Sequence, residues 1–241
     1  MYEELRNILE QSNSVVFFGG SGVSTESGIP DFRSKDGLYN QHDVKFDKYE
    51  PEYLLSNDCL INKPEVFYEF YRQKLDTRGI EPNVTHKVLA KLEALGKVKA
   101  IVTQNIDGLH QKAGSKCVYE IHGSTAQNYC QKCGKMFGSN VIFKSEGIPK
   151  CICGGRIRPN VVLYGEVLPE DAVDGAIYAI KNADCLIVGG TSLSVYPASR
   201  LLRYFRGKHL VLINKEELNV SGTLVITDSL GSVFREIEKW F

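Results

Sequence analysis

Short apolar, β-branched runs recur along the chain at Val15 to Phe18, Val98 to Thr103, Cys185 to Gly189 and His209 to Asn214. Between and around them lie segments whose apolar spacing is nearer 3.6 than 2: Tyr2 to Gln11, Lys63 to Leu75, Thr85 to Leu95, Pro169 to Asn182, Pro197 to Phe205 and Ser232 to Lys239. Strands alternating with helices predict an α/β fold built on a parallel sheet covered by helices. Two stretches break the rhythm. Residues 34–75 are richer in aromatic and charged side chains, and residues 128–158 carry clustered cysteines. The pattern therefore predicts a main domain from residues 1–33, 76–127 and 159–241, and a smaller one from 34–75 and 128–158. There are no repeats or low-complexity tracts, and hence no predicted disordered linker.

A chain of 241 residues can bury one large core, or one core and a satellite module. Lysine plus arginine equals aspartate plus glutamate at 29 each, so nothing global recommends nucleic acid or a membrane surface as partner. The opening Met1-Tyr2-Glu3-Glu4-Leu5-Arg6 lacks the layout of a secretory signal, and no apolar run reaches the roughly 20 residues of a membrane span. A cytoplasmic protein is expected. The seven cysteines are an odd number, which argues against a disulfide framework. Four of them form two close pairs, Cys130-Gln131-Lys132-Cys133 and Cys151-Ile152-Cys153. Two such turns can present four thiolates to one tetrahedral metal, with zinc the expected occupant. A redox pair at Cys130 and Cys133 is the alternative, but no strand-helix pattern surrounds it. Cys59, Cys117 and Cys185 read as packing residues.

The run Gly19-Gly20-Ser21-Gly22-Val23-Ser24-Thr25-Glu26-Ser27-Gly28-Ile29-Pro30-Asp31-Phe32-Arg33 follows the first apolar run. It reads as a strand emptying into a phosphate loop, with a helix starting near Ser24 to aim N–H groups at the ligand. An ordinary tight turn is the alternative. No acidic residue sits at the tip of a second strand about 20 residues on, which counts against a hydride-transfer dehydrogenase. Thr103-Gln104-Asn105-Ile106-Asp107-Gly108-Leu109-His110 follows the second strand, where open α/β sheets gather ligands. Its amides and carboxylate can hold sugar hydroxyls, or can simply bond one another in a polar loop. Glu120-Ile121-His122-Gly123 offers a histidine that is either structural or a general base. Arg158 to Glu166 and Gly189 to Ala198 complete the candidate contacts.

These strings, in this order and across nearly the whole chain, resemble the sirtuin family in its bacterial type. The resemblance rests on the glycine loop, Ser27 to Arg33, Gln104-Asn105-Ile106-Asp107, His122-Gly123 and the four cysteines. It implies a Rossmann-like parallel sheet with helices on both faces, plus a smaller module containing a four-cysteine zinc ribbon and a helical insertion. It also implies an NAD-dependent protein lysine deacetylase that consumes NAD, moving the acetyl group to ADP-ribose and releasing nicotinamide. One structural zinc would be held by Cys130, Cys133, Cys151 and Cys153. In that reading His122 is the general base toward a ribose hydroxyl. Asn105 and Asp107 orient the nicotinamide ribose, Gln104 meets a ribose hydroxyl, and Asp31 and Ile106 contact the carboxamide. Phe32 shields the reacting carbon. Gly20, Ser21, Gly22 and Arg33 address the phosphates, Gly190, Thr191 and Ser192 add loop contacts, Asn214 holds the adenosine ribose, and Ser229 and Leu230 close over adenine. Val161, Val162, Leu163 and Tyr164 flank an apolar acyl tunnel, and Gly165 and Glu166 line its peptide side.

Several positions depart from the family pattern. Gly19 and Ser21 stand where threonine and alanine are common, and Tyr164 replaces a phenylalanine, adding a hydroxyl to the tunnel wall. Family members that prefer succinyl or malonyl lysine are similar in a tyrosine followed three residues later by arginine. Here Tyr71 is followed by Lys74, a point charge instead of a fork, so deacetylation is expected to dominate, with desuccinylation weak. Acetyl-lysine proteins or peptides are the implied partners, and a monomer is expected. Two other readings stand beside this one: an ADP-ribosyltransferase or NAD hydrolase using the same pocket, and a noncatalytic NAD-sensing zinc module, which neutral charge opposes.

Overall fold

The computed structural model describes residues 1–193, 197–216 and 222–241. Among them the strands are β1 Val15–Gly19, β2 Val98–Thr103, β3 Val118–Glu120, β4 Gly123–Cys130, β5 Met136–Gly138, β6 Ile157–Val161, β7 Cys185–Gly189, β8 His209–Asn214 and β9 Leu224–Thr227. Six strands pair in parallel in the order β3-β2-β1-β7-β8-β9. A second, antiparallel sheet has the order β5-β4-β6.

The central strands β1 and β7 are buried at every residue, as expected for near-continuous apolar runs covered on both faces. Because side chains alternate along a strand, Val15 and Phe17 enter one core while Val16 and Phe18 enter the other. The first core is closed by the helices Tyr2–Gln11, Val84–Ala94 and Leu230–Glu238 through Leu5, Leu89 and Phe234. The second is closed by the helix Glu170–Lys181 through Ala176 and Ile180. A third core gathers Phe67, Tyr68, Phe70 and Tyr71 of the helix Pro64–Lys74 with Leu38, Phe46, Leu60 and Leu163. Each such large apolar side chain contributes about 1.5–3 kcal/mol on burial, so residues 34–75 pack a third core together with Ile142, Val161 and Leu163.

Three expectations differ from the structure. The segment after Pro197 forms a 3-10 helix, Ala198–Tyr204, instead of an α-helix. In place of a helix near Ser24 there are two 3-10 turns, Ser21–Val23 and Thr25–Ser27. The small sheet crosses the expected domain boundaries, since β4 begins at Gly123 and β6 continues to Val161. The strands β3, β5 and β9 are only three, three and four residues long and fall outside the expected runs. No helix among the described residues is long and apolar enough to cross a membrane.

Strand order reverses direction between β1 and β7, the topological switch point at which open α/β sheets form a crevice beyond their carboxyl ends. The segments after Gly19, Thr103, Gly189 and Asn214 all open there.

Candidate active site

A cleft of about 690 Å³ lies at that switch point, within the usual range for small-molecule sites. Its floor is two loop backbones in contact. Gly20 N–H donates to the Gly189 carbonyl at 3.3 Å and Gly22 N–H to the Gly190 carbonyl at 2.9 Å. A Cβ on Gly22 would lie 2.8 Å from Gly190 Cα, and one on Gly20 would lie 2.8 Å from Thr191 Cβ. The glycines therefore permit close loop packing, and two N–H groups that the sequence offered to phosphate are engaged by protein carbonyls. This corrects the helix-dipole expectation: two 3-10 turns replace the helix start, and Gly20 and Gly22 serve to bring the loop against Gly190 and Thr191.

The imidazole of His122 borders the cleft, with Nδ1 3.0 Å from the Gln104 carbonyl. A carbonyl only accepts, so Nδ1 carries the proton and Nε2 is the free base. Burial pushes the His122 pKa below its ordinary value, against the opposing pull of the Gln104 carbonyl. The imidazole is thus neutral near pH 7. Gly123, at φ +75°, fixes the turn behind it, and a Cβ there would meet the Asn160 carbonyl oxygen at 2.1 Å. Gln104 Nε2 donates to Thr191 Oγ1 at 3.1 Å, tying the β2 loop to the β7 loop.

Behind Asn105 lies a buried polar network. Ser24 Oγ donates to Asp107 Oδ2 at 2.7 Å and accepts from Asn105 Nδ2 at 3.0 Å. His86 Nε2 lies 3.5 Å from the same hydroxyl, while its Nδ1 accepts from Asn83 N–H at 3.3 Å. Burial raises the Asp107 pKa, although bonds from Leu109 N–H, Ser24 and Asn105 work against it. Ser24 is therefore the joint that fixes both side chains. From sequence alone Ser24 marks only a helix start, because one serine in a glycine loop carries no periodic or spacing signal.

A further part of the lining is Val161 to Glu166. Val162 N–H donates to the His122 carbonyl at 2.9 Å, so this wall is registered on the histidine. Arg158 grips Glu166 with two bonds, Nη1 to Oε1 at 2.6 Å and Nη2 to Oε2 at 3.0 Å. Burial works against the Glu166 carboxylate, but the Arg158 fork outweighs it and holds the pKa below the ordinary value. Glu166 Oε2 also accepts from Leu163 N–H at 3.0 Å, closing the turn.

The four sulfurs of Cys130, Cys133, Cys151 and Cys153 all lie within 4.8 Å of one another. Two of their separations are 3.5 Å, Cys130 to Cys153, and 3.8 Å, Cys133 to Cys151. Thiolates at tetrahedral Zn–S bonds of about 2.3 Å stand about 3.8 Å apart, so the donor set fits zinc. With four protein ligands the site is closed to substrate, and its role is structural.

Of the expected ligand contacts, the cleft brings together Gly20, Ser21, Gly22, Asp31, Phe32, Arg33, Gln104, Asn105, Ile106, His122, Gly190, Thr191, Ser192, Asn214 and Leu230, together with Val161 to Glu166. Three do not line it. Asp107 stands behind Asn105. Ser229 caps the helix Leu230–Glu238, its hydroxyl accepting from Ser232 N–H at 3.1 Å. Tyr71 is fully buried in the third core, stacked on Phe67 and Phe143 at 5.7 and 5.4 Å, while Lys74 pairs with Asp43 at 3.3 Å. Aromatic spacing on a helix reads equally as core or as pocket, and here packing claims it. Residues 194–196 of the string Gly189 to Ala198 lie outside the described residues. Asp228, Lys215, Glu216 and Leu168 line the cleft without having been anticipated, since they sit in loops of no distinctive composition.

A parallel sheet with a glycine loop at its switch point, a half-buried neutral histidine and a separate four-thiolate module define a nucleotide-binding α/β protein with a structural metal. The Sir2 family model matches residues 20–197. The chain is 52% identical to an NAD-dependent protein deacetylase of Cutibacterium acnes, over 98% of this chain and 97% of the relative. It is 54% identical to one of Clostridium acetobutylicum, over 97% and 96%. Its fold is similar to that of Sir2 bound to acetylated peptide, with a TM-score of 0.87, 36% identity, and coverage of 99% and 98%. A Sir2–p53 peptide–NAD+ structure gives a TM-score of 0.86 at 37% identity, over 99% and 98%. The chain belongs to the Sir2 family.

Proposed function

We propose that the chain is an NAD-dependent protein lysine deacetylase, transferring the acetyl group of a modified lysine to ADP-ribose with release of nicotinamide. The observation that carries this reading is the His122 imidazole: neutral, fixed at Nδ1 by the Gln104 carbonyl, and bordering a cleft also lined by the segment Val161 to Glu166. The relatives named as deacetylases span nearly its whole length. When bound, NAD supplies the ribose carbon that accepts the acyl oxygen as nicotinamide leaves. The cleft volume, with Gly20, Ser21 and Gly22 along its lining, fits such a dinucleotide.

The remaining roles fall to this chain's own groups. His122 Nε2 takes a ribose hydroxyl proton, Asn105 and Gln104 orient that ribose, and Asp107 acts on Asn105 through Ser24 without touching the ligand. Asp31, Phe32 and Ile106 surround the nicotinamide end. Ser21 and Arg33 address phosphate, with Gly190, Thr191 and Ser192 beside them, while Asn214 and Leu230 hold the adenosine end. The wall Val161 to Tyr164 excludes water from the acyl group, and Gly165 and Glu166 shape the peptide side. Two modules meet along this cleft, the main one of residues 1–33, 76–127 and 159–241 and the smaller one of residues 34–75 and 128–158; the third core supports a separate smaller module, to which Val161 and Leu163 also contribute. We place the protein in the cytoplasm as a monomer. A four-thiolate site needs a reducing compartment, and light scattering at working concentration should return the mass of one chain.

The test follows nicotinamide and deacetylated peptide together, using an acetyl-lysine peptide with NAD. Equal amounts of both are expected, with His122→Ala lowering turnover about 10²–10⁴-fold. Nicotinamide without deacetylated peptide would instead make the chain a transferase or NAD hydrolase, and neither product would leave a binding module.

A further inference from the structure

The hydroxyl that Tyr164 adds to the cleft wall is not free. It accepts from Arg33 Nη2 at 2.9 Å and shares a hydrogen bond with Tyr39 Oη at 3.1 Å. Both partners belong to the loop that carries Asp31 and Phe32. That loop closes on itself: Leu38 N–H donates to the Asp31 carbonyl at 2.7 Å, Tyr39 N–H to the Phe32 carbonyl at 3.0 Å, and the Phe32 and Tyr39 rings meet edge to face at 5.4 Å. A pull on Tyr39 or Arg33 therefore moves Asp31 and Phe32 as one piece.

At its other end Tyr164 is fixed by backbone. Its N–H donates to the Leu55 carbonyl and its carbonyl accepts from Asn57 N–H, each at 3.0 Å. Two residues earlier, Val162 is registered on His122. The phenol thus joins the Val161 to Glu166 segment, placed beside the acyl-lysine in the reading above, to the loop at the nicotinamide end of the cleft. We propose that the Tyr164 hydroxyl is a positioning latch, through which seating of the acyl-lysine peptide sets the position of the Asp31 to Tyr39 loop and so tightens the binding of NAD. The proposal rests on the deacetylase reading above. It assigns the latch to a hydroxyl that a phenylalanine at this position would lack.

By linkage, tightening of either ligand by the other is one quantity and can be read from the peptide side. The experiment uses His122→Ala, in which chemistry is slowed enough for equilibrium binding. A fluorescent acetyl-lysine peptide is titrated by anisotropy with and without saturating NAD, in that background alone and with Tyr164→Phe added. NAD should tighten peptide binding on the order of tenfold with the hydroxyl present, and no more than about twofold without it. Tyr39→Phe, which leaves the Arg33 bond in place, should retain part of the effect. Equal tightening with and without the Tyr164 hydroxyl would overturn the latch. No binding of acetyl-lysine peptide in either background, alongside normal binding of NAD, would overturn the deacetylase reading and the latch with it.

Discussion

At the scale of single residues, His122 carries a consequence for pH. Burial disfavours the imidazolium, and the Gln104 carbonyl only partly offsets this, so the folded pKa lies below the usual value near 6.5. A base must be unprotonated to act. kcat/KM, whose pH profile reports groups of the free enzyme, is therefore expected to fall on acidification with a single-proton limb whose midpoint lies below 6.5. A midpoint at or above 6.5 would mean that the imidazole is held as a cation, or that another group limits the rate. The candidate base was legible in the sequence because His122-Gly123 stands in a recognisable string. Its tautomer was not, since the Gln104 carbonyl reaches it across a parallel sheet. Nor was Ser24, whose three polar neighbours come from residues 86, 105 and 107.

At the scale of elements, the alternation of β-branched runs and helical spacings placed β1, β2, β7 and β8, because buried parallel strands leave uninterrupted apolar runs. The small sheet left no such trace. β4 is Gly-Ser-Thr-Ala-Gln-Asn-Tyr-Cys, held by pairing and by its cysteine instead of by apolar burial. Its own core is minimal, with Cys130, Cys151 and Ile157 the buried members. With so small a core, a metal held by the four thiolates is expected to contribute strongly to keeping the cysteine-bearing end of this sheet together. Removing it is expected to unfold this sheet while leaving the six-stranded sheet, whose cores are separate, in place. β4 begins one residue after His122, so turnover should be lost at the same time. Zinc released on thiol modification, at one per chain, together with circular dichroism before and after chelation, checks this. Metal-free protein that keeps both its spectrum and its turnover would remove the structural role.

For the whole molecule, the buried pair His86 and His110 links the fold to pH. Their rings lie 4.7 Å apart, and neither nitrogen of His110 has a hydrogen-bond partner among the described residues. Burial lowers His86 to about 4, and burial with the neighbouring His86 lowers His110 to about 3. The unfolded chain binds protons at both near pH 6.5, whereas the folded chain does not until near those lower values. As pH falls through this window the unfolded state gains protons first, so stability falls by up to about 1.4 kcal/mol per pH unit for each imidazole. Asp107 and Glu120 act in the opposite sense. Burial raises both, so the folded state takes up their protons first and is favoured on acidification. His110→Phe separates the two effects, because it replaces an unsatisfied buried imidazole by an apolar ring of similar shape beside Phe17. Denaturant midpoints between pH 7 and 4.5 should then slope less steeply, by the equivalent of up to one proton, with stability at pH 7 unchanged or raised. An unaltered slope would mean that His110 is protonated in the folded state, and that the polar network behind Asn105 holds a charge which its neutral geometry does not provide for.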